Sequence, residues 1–192
     1  MLPFTTNETI LKVSGLNKSY DVPILRDVNF EVKNITRPDI HQGQIVSLIG
    51  ISGSGKSTLF RMLAGLEEPD SGTIEIFKRK YDPLEPVHEG DVGVVFQTSY
   101  IYPWRKVKKI LSMAADKNPQ LDGSRPDKSK DIVTKQLCEE LDITKLLNKF
   151  SAQLSGGQRQ RVAIAEQILN GGDFILLDEP FSGLDGKAVD KV

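Results

Sequence analysis

A glycine-rich stretch of eight residues, 50–57, constrains the fold of this chain more than any other feature of the sequence. It reads GISGSGKS and fits the pattern G-x-x-x-x-G-K-[ST] at every specified position. Residues 45–49 (IVSLI) precede it and predict a short buried strand. Apolar residues at helical spacing follow it and predict an amphipathic helix: Leu59, Phe60, Leu63 and Leu66. This order of strand, turn and helix indicates a phosphate-binding loop in an α/β fold and disfavours the alternative of a chance Gly/Ser-rich turn.

The residue types of the loop suit phosphate binding. Glycines let the backbone turn tightly and approach phosphates without Cβ clashes. The N–H groups at the helix N-terminus can then cradle an anion, which the helix dipole favours. Lys56 would reach the β- and γ-phosphates, and the Ser57 hydroxyl would be a ligand of Mg²⁺. The predicted ATP-binding residues of the loop are Gly50, Ile51, Ser52, Gly53, Ser54, Gly55, Lys56, Ser57 and Thr58.

A second strand is predicted at residues 174–177. It is apolar, so we expect it to be buried, and it ends in two acids, Asp178 and Glu179. A carboxylate at the C-terminal edge of a parallel strand beside a phosphate loop can hold Mg²⁺, which is the role predicted for Asp178. Glu179 would polarise a water aligned with the γ-phosphate, because hydrolysis needs positioning and charge neutralisation more than covalent chemistry. The alternative is a helix start or a turn, since Asp-Glu-Pro occurs in both.

The composition excludes several classes of protein. The net charge of −1 in 192 residues argues against a protein whose main surface binds nucleic acid or an anionic membrane, since such surfaces carry excess positive charge. The single cysteine, Cys138, excludes an internal disulfide, and its spacing places it on a helix face. The N-terminus lacks the pattern of a signal peptide, and no run approaches the roughly 18 apolar residues needed to span a bilayer. A membrane span would therefore come from another chain.

The remaining patterns predict strands at both ends of the chain and helices between them. Strands are predicted within 10–32 and at 73–77 and 92–96, with a loop at 34–42. Residues 100–149 and 158–170 show helical spacing, interrupted by a solvated connector at 116–130. The prediction is an α/β plan with an inserted helical lobe.

A third motif, Leu154-Ser155-Gly156-Gly157-Gln158, resembles the signature sequence of ABC ATPases. The resemblance extends over nearly the whole chain, because five motifs follow one another in the order typical of that family. They are the phosphate loop, Gln97 at a strand end, LSGGQ, the FILLDEP strand and Ser182-Gly183-Leu184-Asp185. It implies a P-loop NTPase (RecA-like) core with a small antiparallel β subdomain and an inserted helical subdomain. The implied division of this single domain, 1–192, is a core from 1–97 and 154–192, with 98–153 as the helical subdomain.

The resemblance also implies roles for individual residues. Glu179 and Gln97 would be catalytic, and Ser57, Gln97 and Asp178 would bind Mg²⁺. Tyr20 would stack on adenine, with an ordinary strand-end aromatic as the alternative. The LSGGQ residues would close over the ATP of a second ATP-binding domain packed head to tail, and Ser182–Asp185 would cross the dimer axis.

A further resemblance indicates transport. Residues 102–107 (YPWRKV) resemble the stretch by which importer ATPases meet the coupling helix of a membrane subunit, and Trp104 would be an anchor there. The alternative is that Trp104 belongs to the core of the helical lobe. The Pro103–Trp104 pair resembles nitrate-, sulfonate- and taurine-type importers. The implied function is ATP-driven transport through separate transmembrane permease subunits, at the cytoplasmic face of the inner membrane and without nucleic acid.

Two other functions stay open at this point: a soluble ABC ATPase of translation, DNA maintenance or cluster assembly, and a truncated module that binds ATP with little hydrolysis. The second follows from the expectation that the chain is C-terminally incomplete, because no histidine follows Asp185 and both histidines, His41 and His88, lie far upstream. Two further departures are Glu166, where relatives usually carry Arg, and the loop 34–42, which is longer than the usual turn.

Overall fold

The computed structural model describes residues 4–38, 43–78, 81–97, 101–121, 123–124 and 129–180. The chain divides into two compact units, Met1–Val92 and Gly93–Val192.

The first unit is built on a four-stranded antiparallel sheet. Its strands are β1 (Thr5–Ser19), β2 (Pro23–Thr36), β3 (Ser71–Lys78) and β4 (Tyr81–Pro86), in the order β2-β1-β3-β4. Apolar side chains from three strands are buried in it: Val13, Leu16, Leu25, Ile74 and Ile76. The strands predicted within 10–32 and at 73–77 are therefore confirmed, as two long strands and one shorter strand.

Two features of this sheet differ from the sequence prediction. The predicted loop 34–42 is wrong at its start, because β2 continues to Thr36 and pairs there with Thr5 of β1. Residues 39–42 of that loop lie outside the described residues. Strand β4 (YDPLEP) was not predicted, because two prolines and two acids in six residues are the pattern of a loop. An edge strand tolerates proline since one side of it needs no ladder hydrogen bonds, and β4 lies at the edge of the sheet.

The predicted strand 45–49 is wrong in this structure. These residues have no strand pairing, and Ile45 and Ile49 are 92% and 90% exposed. A strand buried on both faces needs hydrogen-bonded neighbours. Among the described residues the first unit offers only the antiparallel sheet, whose four strands pair with one another. The helix predicted after the glycine-rich loop is confirmed as α1 (Lys56–Leu63), with Leu59, Phe60, Met62 and Leu63 buried. It ends before Leu66, so the predicted place of Leu66 on its apolar face is wrong.

The second unit is mainly helical. It contains α2 (Val107–Lys117), α3 (Lys130–Glu140) and α4 (Gly156–Asn170), with short 3₁₀ turns at Thr144–Leu146 and Ser151–Gln153. One apolar core unites these helices: Val107, Ile110 and Leu111 from α2, Leu137 and Cys138 from α3, and Val162, Ala165 and Leu169 from α4. The predicted helical insert and the helix-face position of Cys138 are confirmed. Burial raises the pKa of the Cys138 thiol, and the neighbouring Glu139 carboxylate raises it further.

Two short parallel strands complete this unit, β5 (Gly93–Val95) and β6 (Ile175–Leu177). Both were predicted, but the predicted burial of β6 is wrong, because Ile175 and Leu177 are exposed. Within the described part of the chain β6 pairs with β5 alone. No described helix is long and apolar enough to cross a membrane.

Candidate functional site

The glycine-rich loop adopts a conformation that only glycine accommodates easily. Gly53 and Gly55 have left-handed φ values of 78° and 87°. A Cβ on Gly55 would lie 2.7 Å from Leu25 Cδ2, so both the backbone angle and the packing require glycine. The turn is closed by the Ser54 N–H, which donates to the Ile51 carbonyl at 3.3 Å. The loop thus passes directly from a tight turn into α1.

The N-terminus of α1 has the features of an anion site. Gly55 is its N-cap, no side chain caps the helix, and its first turn carries no acid. The Lys56 Nζ donates to the carbonyls of Gly50 and Ile51 at 2.8 and 2.7 Å, which holds the ammonium over the loop. A Cβ on Gly50 would come within 2.9 Å of Ser54 Oγ, so side-chain bulk there would fill the cradle. Residues 50–58 therefore fit the phosphates of a nucleotide, with the exposed Ser57 hydroxyl available for Mg²⁺.

Tyr20 lies in the same unit, in the turn after β1. The residue is 54% exposed, and its hydroxyl donates to Glu67 Oε1. An exposed aromatic face can stack on a nucleobase. The structure leaves Tyr20 accessible for the predicted adenine contact.

The second unit brings together the three polar residues predicted at strand ends. Gln97 follows β5, and Asp178 and Glu179 follow β6 directly, so all three lie at the carboxyl end of the parallel pair. The Asp178 N–H donates to the Val95 carbonyl at 2.9 Å, which extends the pairing by one residue. The Gln97 Nε2 donates to Glu179 Oε2 at 2.9 Å. The two predicted catalytic side chains are thus in direct contact, although 82 residues separate them in sequence.

Glu179 also has a positive φ of 46°, an uncommon conformation for a residue with a side chain. Such conformations cost on the order of 1–3 kcal/mol and cluster at functional sites. The structure thus places Glu179 at a strand end with a strained backbone, and its carboxylate beside an amide donor.

The LSGGQ residues form the start of α4. Ser155 is the N-cap: its Oγ accepts from the Gln158 N–H at 3.3 Å, and Gln158 Oε1 accepts from the Ser155 N–H at 3.2 Å. This is a capping box, in which serine and glutamine satisfy each other's backbone donors. The helix begins at Gly156, two residues earlier than predicted, because this box supports the first turn. Leu154 is buried, whereas Ser155 and Gly156 are exposed.

The stretch 102–107 carries an exposed aromatic surface. Trp104 is 69% exposed, so the alternative that placed it in the core is wrong. Its ring meets Tyr102 edge to face at 5.9 Å, and the Arg105 guanidinium lies 5.4 Å from the Tyr102 ring centroid. Phe150 is also exposed and lies 5.7 Å below the Lys106 ammonium. We refer to Tyr102, Trp104 and Phe150 as the aromatic surface.

Backbone hydrogen bonds fix the two segments of this surface against each other. The Val107 N–H donates to the Lys149 carbonyl at 3.0 Å, and the Ser151 N–H donates to the Arg105 carbonyl at 3.1 Å. Phe150 was missed in the sequence, because nothing local in 145–150 indicates that it lies beside 102–107. Only the antiparallel contact between Lys106 and Phe150 reveals it.

Glu166 and His88 were also singled out in the sequence. Glu166 is half-buried on α4; burial raises the pKa of its carboxyl, and attraction to Lys117 partly opposes this. His88 is exposed and lies 3.6 Å from an Asp91 oxygen. His41 and the predicted dimer loop Ser182–Asp185 lie outside the described residues.

Comparisons with known proteins agree with these motifs. A family model described as "ABC transporter" matches residues 33–182. The sulfate/thiosulfate import ATP-binding protein CysA 1 of Agrobacterium fabrum is 39% identical over 181 residues, which cover 92% of this chain and 49% of that protein. The maltose/maltodextrin import ATP-binding protein MalK of Escherichia coli is 38% identical over 176 residues, which cover 91% of this chain and 44% of that protein.

A solved structure shows the same fold. CbiO1 from Clostridium perfringens, described as part of the ABC transporter complex CbiONQ, superposes with a TM-score of 0.70 at 28% identity, covering 96% of this chain and 71% of that one. The chain spans about half the length of the curated relatives it matches.

Proposed function

Because the chain belongs to the ABC transporter family, we propose that it binds MgATP at residues 50–58 and hydrolyses it to power transport through separate membrane subunits. The observation that carries this proposal is the phosphate loop: left-handed glycines lead into an uncapped helix N-terminus, and Lys56 lies over the loop. The fold is that of a P-loop NTPase, a mixed α/β chain with an antiparallel sheet and a helical unit. As a finer division we propose a core from 1–97 and 154–192, with 98–153 as the helical subdomain.

The proposed chemistry assigns a task to each polar residue. Lys56 and the loop N–H groups would neutralise and orient the phosphates. By resemblance to the family alone, Ser57, Gln97 and Asp178 would hold Mg²⁺. The metal, when bound, would offset negative charge on the phosphate oxygens. Glu179 would orient the attacking water and accept its proton. Its hydrogen bond to Gln97 supports this role, since an amide donor fixes the direction of the carboxylate.

We further propose that two such domains pack head to tail, with Ser155 to Gln158 of one contacting the nucleotide of the other. The exposed Ser155 and Gly156 support this, because they leave the start of α4 accessible to a second domain. The dimer loop Ser182–Asp185 belongs to this proposal by resemblance alone.

The aromatic surface supports a membrane partner. Exposed, rigidly held aromatic side chains are common anchors of protein interfaces. We propose that this surface binds a segment of a permease subunit and so holds the chain at the cytoplasmic face of the membrane. The Pro103–Trp104 pair supports an importer of the nitrate, sulfonate or taurine type as the finer proposal, whereas the relatives above are named for sulfate/thiosulfate and for maltose.

Titration with MgATP tests the nucleotide site. Lys56→Ala should weaken binding at least about 10-fold, because charge-assisted contacts to phosphate are lost. Lys12→Ala, an exposed lysine of β1 in the same unit, is the matched control and should bind normally. Equal affinities for Lys56→Ala and the wild type would refute the site. For the transport proposal, ATP hydrolysis should be stimulated by the reconstituted permease, and a lack of stimulation would count against it.

A further inference from the structure

The side chain of Tyr20 belongs to a polar cluster at the end of β1. Its hydroxyl donates to Glu67 Oε1, and the Lys18 ammonium lies over its ring, 5.6 Å from the centroid. Lys18 Nζ is also 3.5 Å from the same Glu67 oxygen. One carboxylate therefore contacts both the hydroxyl of the aromatic residue and the cation that covers one face of its ring.

Further contacts attach the end of β1 to residues 67–70. The Ser19 N–H donates to Asp70 Oδ2 at 2.6 Å, and the Asp70 N–H donates to the Asn17 carbonyl at 3.0 Å. Lys18 Nζ donates to the Glu68 carbonyl at 2.8 Å and lies 3.4 Å from Asp70 Oδ1. Burial opposes the charge on Lys18, but hydrogen bonds and attraction from Asp70 and Glu67 outweigh it, so the pKa of Lys18 is raised. The lysine therefore stays charged.

The segment that holds Tyr20 is the direct continuation of α1. This helix starts in the phosphate loop at Lys56 and ends at Leu63. The chain then turns tightly: the Leu66 N–H donates to the Arg61 carbonyl at 2.9 Å, and Gly65 has a φ of 68°. A Cβ on Gly65 would lie 2.5 Å from the backbone of His88, which leaves the turn little freedom. An eight-residue helix is about 12 Å long, so a short, rigid path joins the phosphate loop to Glu67.

We propose that Glu67 and Lys18 are positioning residues that fix the Tyr20 ring relative to the phosphate loop, so that one face of it is presented to the nucleobase. An exposed tyrosine in a turn would otherwise sample several rotamers, and ordering it on binding would reduce affinity. The hydrogen bond to Glu67 restricts the ring before the nucleotide arrives, and Lys18 occupies one face, which leaves the other for stacking. The inference rests on the proposed ATP site, because it concerns how that site orients the base.

Two probes distinguish a positioning role of this cluster from a purely structural one. MgATP carries a base, and inorganic tripolyphosphate with Mg²⁺ carries only the phosphates. Tyr20→Phe keeps the ring but removes the hydroxyl, and Glu67→Ala removes its acceptor. By calorimetric titration of the purified chain, each variant should bind MgATP about 3- to 10-fold more weakly, the factor of one net hydrogen bond, and should bind tripolyphosphate normally. Glu68→Ala, the neighbouring exposed acid, is the matched control and should bind both probes normally.

The double variant Tyr20→Phe/Glu67→Ala sharpens the test. Both substitutions remove the same hydrogen bond, so the double variant should bind MgATP about as weakly as either single variant. Wild-type affinity for MgATP in Tyr20→Phe would overturn the inference while leaving the ATP site intact. A parallel loss of both probes, together with a lower melting temperature, would also overturn it, because the cluster would then be structural only. If the wild type bound neither probe, the proposed function would fail, and this inference with it.

Discussion

The two left-handed glycines of the phosphate loop allow a matched test of how the loop is held. Gly53 and Gly55 have similar φ values, 78° and 87°, but different surroundings. A Cβ on Gly53 meets nothing within 4 Å, whereas a Cβ on Gly55 would lie 2.7 Å from Leu25 Cδ2 and 3.3 Å from the Ile24 carbonyl oxygen. Alanine at either position pays the backbone strain, but alanine at Gly55 also overpacks a buried side chain.

The expected magnitudes follow from these contacts. A residue with a Cβ in the left-handed region costs about 1–2 kcal/mol, which is the whole effect expected for Gly53→Ala. Overpacking adds about 1–3 kcal/mol at Gly55, because Leu25 is buried and its methyl group has little room to move. Gly55→Ala should therefore destabilise the chain by about 2–5 kcal/mol, and each kcal/mol should lower the melting temperature by about 2–4 °C.

Urea unfolding followed by far-ultraviolet circular dichroism measures this difference. Tryptophan fluorescence is unsuitable, since the only tryptophan, Trp104, lies in the other unit. Gly53→Ala and Gly55→Ala should differ by at least about 1 kcal/mol in free energy of unfolding. Equal destabilisation by the two substitutions would refute the argument that the loop is packed against β2 through Gly55.

Three further predictions concern the second unit. Trp104→Ala should change the free energy of unfolding by less than about 0.5 kcal/mol yet abolish association with the permease in a pull-down, whereas a large fall in melting temperature would contradict its exposure. Glu179→Gln should retain MgATP binding but lower single-turnover hydrolysis on the order of 10²- to 10³-fold, and unchanged turnover would remove its catalytic role. Burial raises the pKa of the Glu166 carboxyl above its ordinary value of 4.5, so this carboxyl stays protonated in the folded chain at pH values where it is ionised in the unfolded chain. The free energy of unfolding therefore falls as the pH rises from about 4.5 through the raised pKa. Glu166→Gln should therefore melt higher than the wild type at pH 7, with the advantage lost below about pH 4.5; an advantage independent of pH would contradict this.

Features that depend on local sequence were predicted well. The helix after the phosphate loop and the acid pair after β6 each lie beside a turn, so a short stretch of sequence determines their conformation. The contact between Gln97 and Glu179 could also be expected, because the carboxyl ends of neighbouring parallel strands lie at one edge. The pattern of strand and helix periods was thus sufficient for the fold class.

Features that depend on pairing over long separations were not predictable. The run 45–49 has the composition of a buried strand, but a strand also needs hydrogen-bonded neighbours, which composition does not specify. The tether from Tyr20 to Glu67 spans 47 residues, and Phe150 reaches the aromatic surface through contacts formed more than 40 residues away in the chain. In both cases the residue type is ordinary and only the fold gives it a neighbour.

The charges around the aromatic surface add an argument about its partner. Residues 102–109 and 147–150 contain five cations, namely Arg105, Lys106, Lys108, Lys109 and Lys149, and no acid, although the whole chain has a net charge of −1. Three of these lysines lie at the N-cap and in the first turn of α2, where the helix dipole disfavours positive charge. These charges do not stabilise the start of α2, so an acidic segment of the permease would explain them, because its carboxylates would offset both the lysines and the dipole. Association should then weaken steeply as salt concentration rises, and binding insensitive to salt would show that the aromatic side chains act without these charges.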